Sequence, residues 1–316
     1  MTLLELVGGL VLLLAGGEAL VRGGVGVASR LGVSPLLIGL TLVGFGTSMP
    51  ELVASLQAAL IGAPGIAVGN VVGSNIANIL LILGVAAMIR PVATTKAAFR
   101  RDGAVLIGAS LLMVSVALVG TLGFLAGLLF LAMLLAYTVS TYLAERHGGA
   151  SAEMHAAEAS AVAPGGAGLL SHLALTAAGI AGVVGGASLL VGAAVEIARV
   201  AGVSEAVIGL TLVAVGTSLP ELATSVVAAV RGQGDVAFGN VVGSNIFNIL
   251  GIAGVTALVS PIEVPARIVA FDIWAMLATA ILLVAFAVTD WRVSRTEGAI
   301  FVALYAAYLA VQPLAG

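Results

Sequence analysis

Apolar residues run through this chain in long blocks, separated by short segments that carry its polar, glycine and proline residues. A helix needs about 20 mostly apolar residues to cross a bilayer. Blocks of that kind lie at roughly 3–28, 35–61, 66–88, 103–119, 122–144, 169–198, 206–230, 236–258, 268–288 and 298–314. The pattern predicts an all-α integral membrane protein with ten transmembrane helices. The division between the fourth and fifth rests on Val119-Gly120-Thr121 and on a combined length too great for one span. No cleavable leader is read in Met1–Leu14, which lacks a basic segment and runs on as a spanning helix.

One polar stretch, 145–168, is rich in Ala, Gly, Ser, Glu and His and divides the chain into a five-helix repeat over 1–144 and another over 169–316. His147, His155 and His172 sit in or beside it, and scattered histidines on a polar segment read as solvated rather than as a metal site. Basic residues are unevenly shared between the two sets of loops. Those after spans one, three, five, seven and nine hold Arg30, Arg90, Lys96, Arg100, Arg101, Arg146, Arg231, Arg292 and Arg295, against Arg199 and Arg267 on the other side. The positive-inside rule makes the first set and the 145–168 linker cytoplasmic, with both termini outside the cell membrane.

Composition agrees. Hydrophobic residues make up 61% of the 316 and charged residues 9%, with a mean hydropathy of +1.22. A soluble domain carries about 25% charged residues. A net charge of −3 with no basic tract argues against nucleic acid, and the absence of cysteine excludes disulfides and thiolate metal sites. The 42 glycines suit helices that pack closely in lipid. Neither enzymatic chemistry nor a resident cofactor is expected, and the oligomeric state is not legible.

Two motifs occur twice at one offset. Gly46-Thr-Ser-Met-Pro-Glu51 returns as Gly216-Thr-Ser-Leu-Pro-Glu221, and Gly69-Asn-Val-Val-Gly-Ser-Asn75 returns as Gly239-Asn-Val-Val-Gly-Ser-Asn245. Residues 31–91 and 201–261 align without gaps at 36 of 61 identical positions. The offset spans five helices, an odd number, so the second copy enters the membrane from the opposite side. Inverted repeats of this kind build secondary transporters, with the substrate site near the midplane.

Pro50 and Pro220 lack a backbone N–H and free the carbonyls four residues earlier, at Gly46 and Gly216. Beside them stand the hydroxyls of Thr47, Ser48, Thr217 and Ser218 and the carboxylates of Glu51 and Glu221. Such oxygens suit hard cations such as Ca²⁺ and Na⁺. Ser48-x-x-Glu51 and Ser218-x-x-Glu221 also match a helix-capping box. A cap contributes about 1 kcal/mol, whereas a charge at bilayer centre costs about 2.5–3.5 kcal/mol, so a cap alone does not explain the duplication. Asn70, Ser74 and Asn78 follow at i, i+4 and i+8 on one helix face, as do Asn240, Ser244 and Asn248. Ser74, Asn78, Ser244 and Asn248 are read as site-lining, and Asn70, Asn75, Asn240 and Asn245 as structural. Gly69, Gly73, Gly239 and Gly243 form small-residue strips for close helix approach. Glu18–Arg22 and Glu196–Arg199 read as ordinary ion pairs, and Asp102 and Asp272 as acids suited to helix starts.

Both repeated blocks resemble the α-repeats of the sodium/calcium exchanger family, within the cation/calcium antiporter superfamily. The resemblance implies broken helices at the midplane and four ion sites lined by four central spans. It implies that Glu51 and Glu221 bind calcium directly, and that Thr47, Ser48, Thr217, Ser218, Ser74 and Ser244 supply sodium oxygens with backbone help from Gly44 and Ala214. It also implies that the long first span of each half slides across a rigid core. Some members carry an aspartate where this chain has Asn248, so stoichiometry and electrogenicity stay open. The expected function is Ca²⁺/Na⁺ antiport; Ca²⁺/H⁺ or other divalent exchange is the alternative, and a passive cation channel a more remote one.

Overall fold

The computed structural model describes residues 2–93, 96–146, 155, 156, 159, 160, 162 and 168–312. The first span is a single helix, α1 (Thr2–Arg30). The second is broken into α2 (Pro35–Ile38), a π-helical segment Gly39–Val43, a turn over 44–48, and α3 (Met49–Leu60). The third joins α4 (Pro64–Ala77), a π-helical segment Asn78–Leu83 and α5 (Gly84–Ile89). Helices α6 (Lys96–Leu118) and α7 (Phe124–Glu145) complete the first half.

The second half repeats this order. After α8 (Leu169–Ala201) come α9 (Glu205–Ile208), a π-helical segment Gly209–Val213, α10 (Ala214–Thr217) and α11 (Leu219–Arg231). Then follow α12 (Gly234–Phe247), a π-helical segment Asn248–Ile252 and α13 (Ala253–Val259). A π-helical segment Ile268–Asp272 leads into α14 (Ile273–Asp290), and α15 (Arg295–Val311) is last.

Ten helical rods thus stand at the ten expected positions among the described residues. Seven are long and apolar enough to cross a membrane, and an eighth qualifies as the bent rod 205–231, which turns by 48° at Ser218. The other two fall short through the turn over 44–48 and the 17-residue length of α15. The fourth rod starts at Lys96, seven residues before the expected 103, because Arg101 and Asp102 find partners that let the helix include them.

Local chemistry sets these boundaries. Ser34 and Ser204, 170 positions apart, accept from the backbone N–H groups of Leu37 and Val207 and cap matching helices. The turns that follow the first and second spans of each half place Gly32, Gly62, Gly202 and Gly232 at positive φ, which glycine adopts without strain. Short antiparallel bridges confirm the parity of the loops. Val92 and Ala93 pair with Val293 and Arg292, joining the loops after spans three and nine; Thr121 and Leu122 pair with Glu263 and Ile262, joining those after spans four and eight.

The reading of Asp102 and Asp272 as helix-start acids is corrected. Asp272 is fully buried; it accepts from Tyr308 Oη and Gln312 Nε2, each at 2.9 Å, with Arg267 Nε at 3.5 Å from its other oxygen. Asp102 accepts from Arg101 Nε at 2.7 Å and Tyr137 Oη at 3.1 Å. Each acid therefore ties the fourth helix of its half to the fifth, an internal use that charge-assisted bonds favour over a solvated helix end. The pairs Glu18–Arg22 and Glu196–Arg199 form as expected, both exposed.

Helices α1 and α8 lie against one another along their length through glycine. A Cβ on Gly9 would stand 2.6 Å from Leu190 N, and one on Gly16 2.5 Å from Val183 N, so no side chain fits at either. Without a hydrophobic force between helices in lipid, such backbone approach is what holds the pair. Gly16→Leu should force the two helices apart and cost about 1–3 kcal/mol, read as a lower thermal midpoint for purified protein in detergent. An unchanged midpoint would mean that this contact does not carry the pairing.

Candidate ion-binding site

The two broken spans meet back to back, and each acid is held by the opposite repeat. Ser48 Oγ donates to Glu221 Oε1 at 2.8 Å, and Ser218 Oγ donates to Glu51 Oε1 at 2.9 Å. Both glutamates and both serines are buried. The chain bends there for local reasons: Pro50 and Pro220 sit in the first turns of α3 and α11, and Ser48 and Ser218 take non-helical backbone angles just before. The freed carbonyls are partly reused. Gly46 O accepts from Met49 N at 3.2 Å, and Gly216 O and Ala214 O both accept from Ser218 N, so the predicted release of backbone oxygen is smaller than proline alone implies.

A second pair of polar residues secures the breaks from behind. Asn70 Nδ2 donates to the Glu51 carbonyl at 3.1 Å and to Ser55 Oγ at 2.9 Å; Asn240 Nδ2 donates to the Glu221 carbonyl at 3.3 Å and to Ser225 Oγ at 3.0 Å. This is the structural role expected of Asn70 and Asn240. Asn70 does more, because its Oδ1 accepts from Thr217 Oγ1 of the other repeat at 3.2 Å and from Ser74 Oγ at 3.5 Å. Asn78 Nδ2 donates to Asn245 Oδ1 at 3.0 Å, and Asn245 Nδ2 to the Asn75 carbonyl at 3.3 Å, a further link across the repeats.

Several buried polar atoms of the predicted residues have no partner among the described residues. Glu51 Oε2, Glu221 Oε2, Thr47 Oγ1, Ser244 Oγ, Asn78 Oδ1 and both amide atoms of Asn248 are buried without a hydrogen-bond partner among the described residues. Thr217 Oγ1 is already engaged, donating to Asn70 Oδ1 at 3.2 Å and to the Val213 carbonyl at 3.0 Å. Neither glutamate has an ion-pair partner among the described residues. Two carboxylates in the bilayer core cost about 5–7 kcal/mol together on insertion scales, and a hydrogen bond to a charged group returns about 1.5–3 kcal/mol. Two such bonds, one serine per acid, return about 3–6 kcal/mol, and a cation bound at the unpaired oxygens would supply the remainder. The donor set is carboxylate, hydroxyl and amide oxygen, which is hard-cation chemistry.

Of the predicted residues, Glu51, Glu221, Ser48 and Ser218 are joined directly at the two breaks and Thr217 and Ser74 through Asn70, whereas Asn78 is tied to Asn245 and Thr47, Ser244 and Asn248 hold buried side-chain atoms without a partner among the described residues. Gly44 and Ala214 cap the two π-helical segments that precede the motifs, Gly44 donating to Gly39 O at 2.9 Å. Single-turn π segments recur at functional sites. His172 is buried on α8, where a Cβ on Gly26 would strike its ring; His155 lies against Glu145, and His147 is outside the described residues. The described residues hold no group of three or more metal-ligating His, Asp or Glu side chains. Ser55, Ser225 and the stacked rings of Phe45 and Phe247, 4.5 Å apart across the repeats, were not predicted. The repeated serine four positions after each glutamate carried the signal for the first two; the phenylalanines carry none, since Val215 and Ala77 replace them in the other copies.

Comparison with known proteins agrees with this geometry. The chain matches the model of the family described as sodium/calcium exchanger protein over residues 1–143 and 171–313. It is 35% identical to the sodium/calcium exchanger MaX1 of Methanosarcina acetivorans over 338 residues, covering 96% of each chain. It is 37% identical to the inner membrane protein YrbG of Escherichia coli over 297 residues, covering 93% of this chain and 90% of that one. Among solved structures it resembles the sodium-calcium exchanger NCX_Mj soaked with 2.5 mM Na⁺ and 0.1 mM Ca²⁺, at a TM-score of 0.65 and 32% identity over 98% of this chain and 97% of that one. With inverted repeats, broken helices and two reciprocally held glutamates in place, the chain belongs to the sodium/calcium exchanger protein family.

Proposed function

We propose that the protein is a secondary antiporter that exchanges Ca²⁺ for Na⁺ by alternating access at the junction of its two broken spans. The observation that carries this reading is the pair of buried glutamates, each bonded to the other repeat's serine and each with a second oxygen unpaired. In this reading Glu51 and Glu221 take the calcium ion directly. Thr47, Ser48, Thr217, Ser218, Ser74 and Ser244 add sodium oxygens, with Asn78, Asn248 and the backbone at Gly44 and Ala214 completing the set. Membership of the family and the exchanger names of its relatives support the pairing of ions.

Charge balance explains why the two cations compete. Two carboxylates neutralise one Ca²⁺ or two Na⁺, and either load lowers the cost of keeping those acids in lipid. The empty carrier holds two uncompensated charges and is disfavoured while crossing, which couples the fluxes. Residues 1–144 and 169–316 act as the two halves of the machine, joined by the linker 145–168. The basic loops, Arg90, Arg100, Arg231 and Arg295 among them, support placing the linker in the cytoplasm and both termini outside.

The test is calcium uptake into vesicles loaded with sodium, compared with vesicles loaded with acid or potassium. Sodium-loaded vesicles should accumulate calcium and the others should not; uptake driven by protons alone would overturn the sodium coupling. Glu51→Gln and Glu221→Gln should each abolish uptake while the protein stays folded and monodisperse, because each removes one of the two charges that balance Ca²⁺. Sustained calcium exchange in either variant would remove these residues from the site. Asn248→Asp adds a third acid where both amide atoms are unpaired. It should shift the charge moved per cycle or the sodium-to-calcium preference, measured as current per calcium ion transported. Unchanged currents and affinities would make Asn248 structural.

A further inference from the structure

The two halves are not packed alike, and the difference lies on one side of the ion site. A Cβ on Gly69 of α4 would stand 2.8 Å from the Ala206 carbonyl oxygen, and one on Gly73 2.5 Å from that of Leu210. A Cβ on Gly209 would in turn meet Ile66 Cα at 2.9 Å. Backbone contacts therefore shut the first half of span seven against α4, on the side of the even-numbered loops. Applied to the other half, the 170-residue offset would set Gly39 against Val236 and Gly243 against Leu40. That packing is not formed. A Cβ on Gly243 would meet nothing within 4 Å, and α12 makes no extended contact with α2 or Gly39–Val43.

The linker stands there instead. A Cβ on Gly39 would run into the backbone carbonyl and side chain of His155, so His155 occupies at Gly39 the place that Ile66 occupies at Gly209. His155, Ala159 and Val162 fall at i, i+4 and i+7, one face of a helix. Ala159 is buried with Val25 of α1 and Ile38 of α2, and Val162 packs beside them. His155 Nε2 lies 3.8 Å from a carboxylate oxygen of Glu145, whose other oxygen accepts from Arg101 at 3.0 Å. The linker is thus seated on the one surface that α12 needs if the second half is to close as the first has.

We propose that the linker residues His155, Ala159 and Val162 form a removable wedge. Docked on Gly39 and Ile38 it holds the odd-loop side of the bundle open, and it has to leave before α12 can close on the second span. Inverted repeats change sides by exchanging the conformations of their two halves, so the contact missing from one half is the one the next state makes. The proposal rests on the antiport reading for its effect on transport, since it makes undocking of the linker a step in each cycle. Anything that draws the linker away from α1 and α2 then raises the exchange rate without touching the ion site.

The chain contains no cysteine, so introduced pairs can be bridged cleanly. Ile38→Cys with Ala159→Cys, cross-linked to completion, should lose at least about tenfold in sodium-driven calcium uptake, since one state is trapped, and recover on reduction. Full uptake by the bridged protein would overturn the wedge. A second measurement needs no transport. Leu36 and Asp235 correspond to Ala206 and Gly65, which touch in the closed half, a Cβ on Gly65 lying 2.9 Å from Ala206 N. Cross-linking of Leu36→Cys to Asp235→Cys therefore reports closure. Ala159→Asp, which places a carboxylate in the apolar seat, should raise that cross-linking rate at least about threefold by favouring the closed state. An unchanged rate overturns the wedge, whereas a raised rate in a protein without sodium-driven uptake supports the wedge and tells against antiport.

Discussion

Two carboxylates that no cationic side chain balances among the described residues organise the bundle. Glu51 and Glu221 lie where lipid disfavours charge, and the described structure gives each a serine from the other repeat rather than an arginine or lysine. That crossed bonding requires the two breaks to meet, which fixes how the halves dock. Meeting there in turn demands backbone that is not regular helix, and Pro50, Pro220 and the paired π-helical segments supply it. Asn70 and Asn240 then hold the glutamate carbonyls in place so that the bend does not leave them unpaired. Each device exists twice because the crossed serine–glutamate bonds straddle the inverted repeats.

A permanent internal cation would stabilise this arrangement and end its usefulness. An arginine beside Glu51 would neutralise it and block entry of a mobile ion. Elsewhere the chain does use that solution: Arg101 bonds both Asp102 beside it and Glu145 of α7, and Arg267 lies near Asp272 while donating to the Gln312 carbonyl, so each arginine helps bind the outer helices of its half together. Acids beside an arginine, Asp102 and Asp272, tie helices together, whereas Glu51 and Glu221, bonded to serines alone, are the proposed ion ligands. On the proposed reading the cost of buried charge returns whenever the site is vacated, which disfavours crossing by the empty carrier.

Much of this was legible in the sequence. Span number, the inverted offset and the paired acids are written in apolar run length and in two motifs that recur 170 positions apart, one ending at Glu51 and Glu221 with a single Met-to-Leu difference and one identical over Gly69–Asn75 and Gly239–Asn245. The crossed serine bonds were not, because a motif shows which oxygens lie near one another in one helix and not which repeat they serve. The helix-start reading of Asp102 and Asp272 failed for the same reason: Tyr137 and Tyr308 come from other helices, and nothing near the acids in sequence announces them. Conformation was illegible too. Gly73 and Gly243 are equivalent residues in matching motifs, yet one is packed against Leu210 and the other is open. Symmetric sequence halves held in different shapes are what a carrier on one side of its cycle requires, and His155 and Ala159 stand where the two halves differ.

The central claim is that Glu51 and Glu221 form one site which Ca²⁺ and Na⁺ occupy in turn. Equilibrium calcium binding to the purified protein, titrated with sodium at constant ionic strength and repeated on the Glu51→Gln, Glu221→Gln double variant, tests it most directly. A single two-carboxylate site predicts that sodium displaces calcium competitively and that the double variant binds no calcium. Calcium binding that sodium leaves unchanged, or that survives loss of both carboxylates, would contradict it.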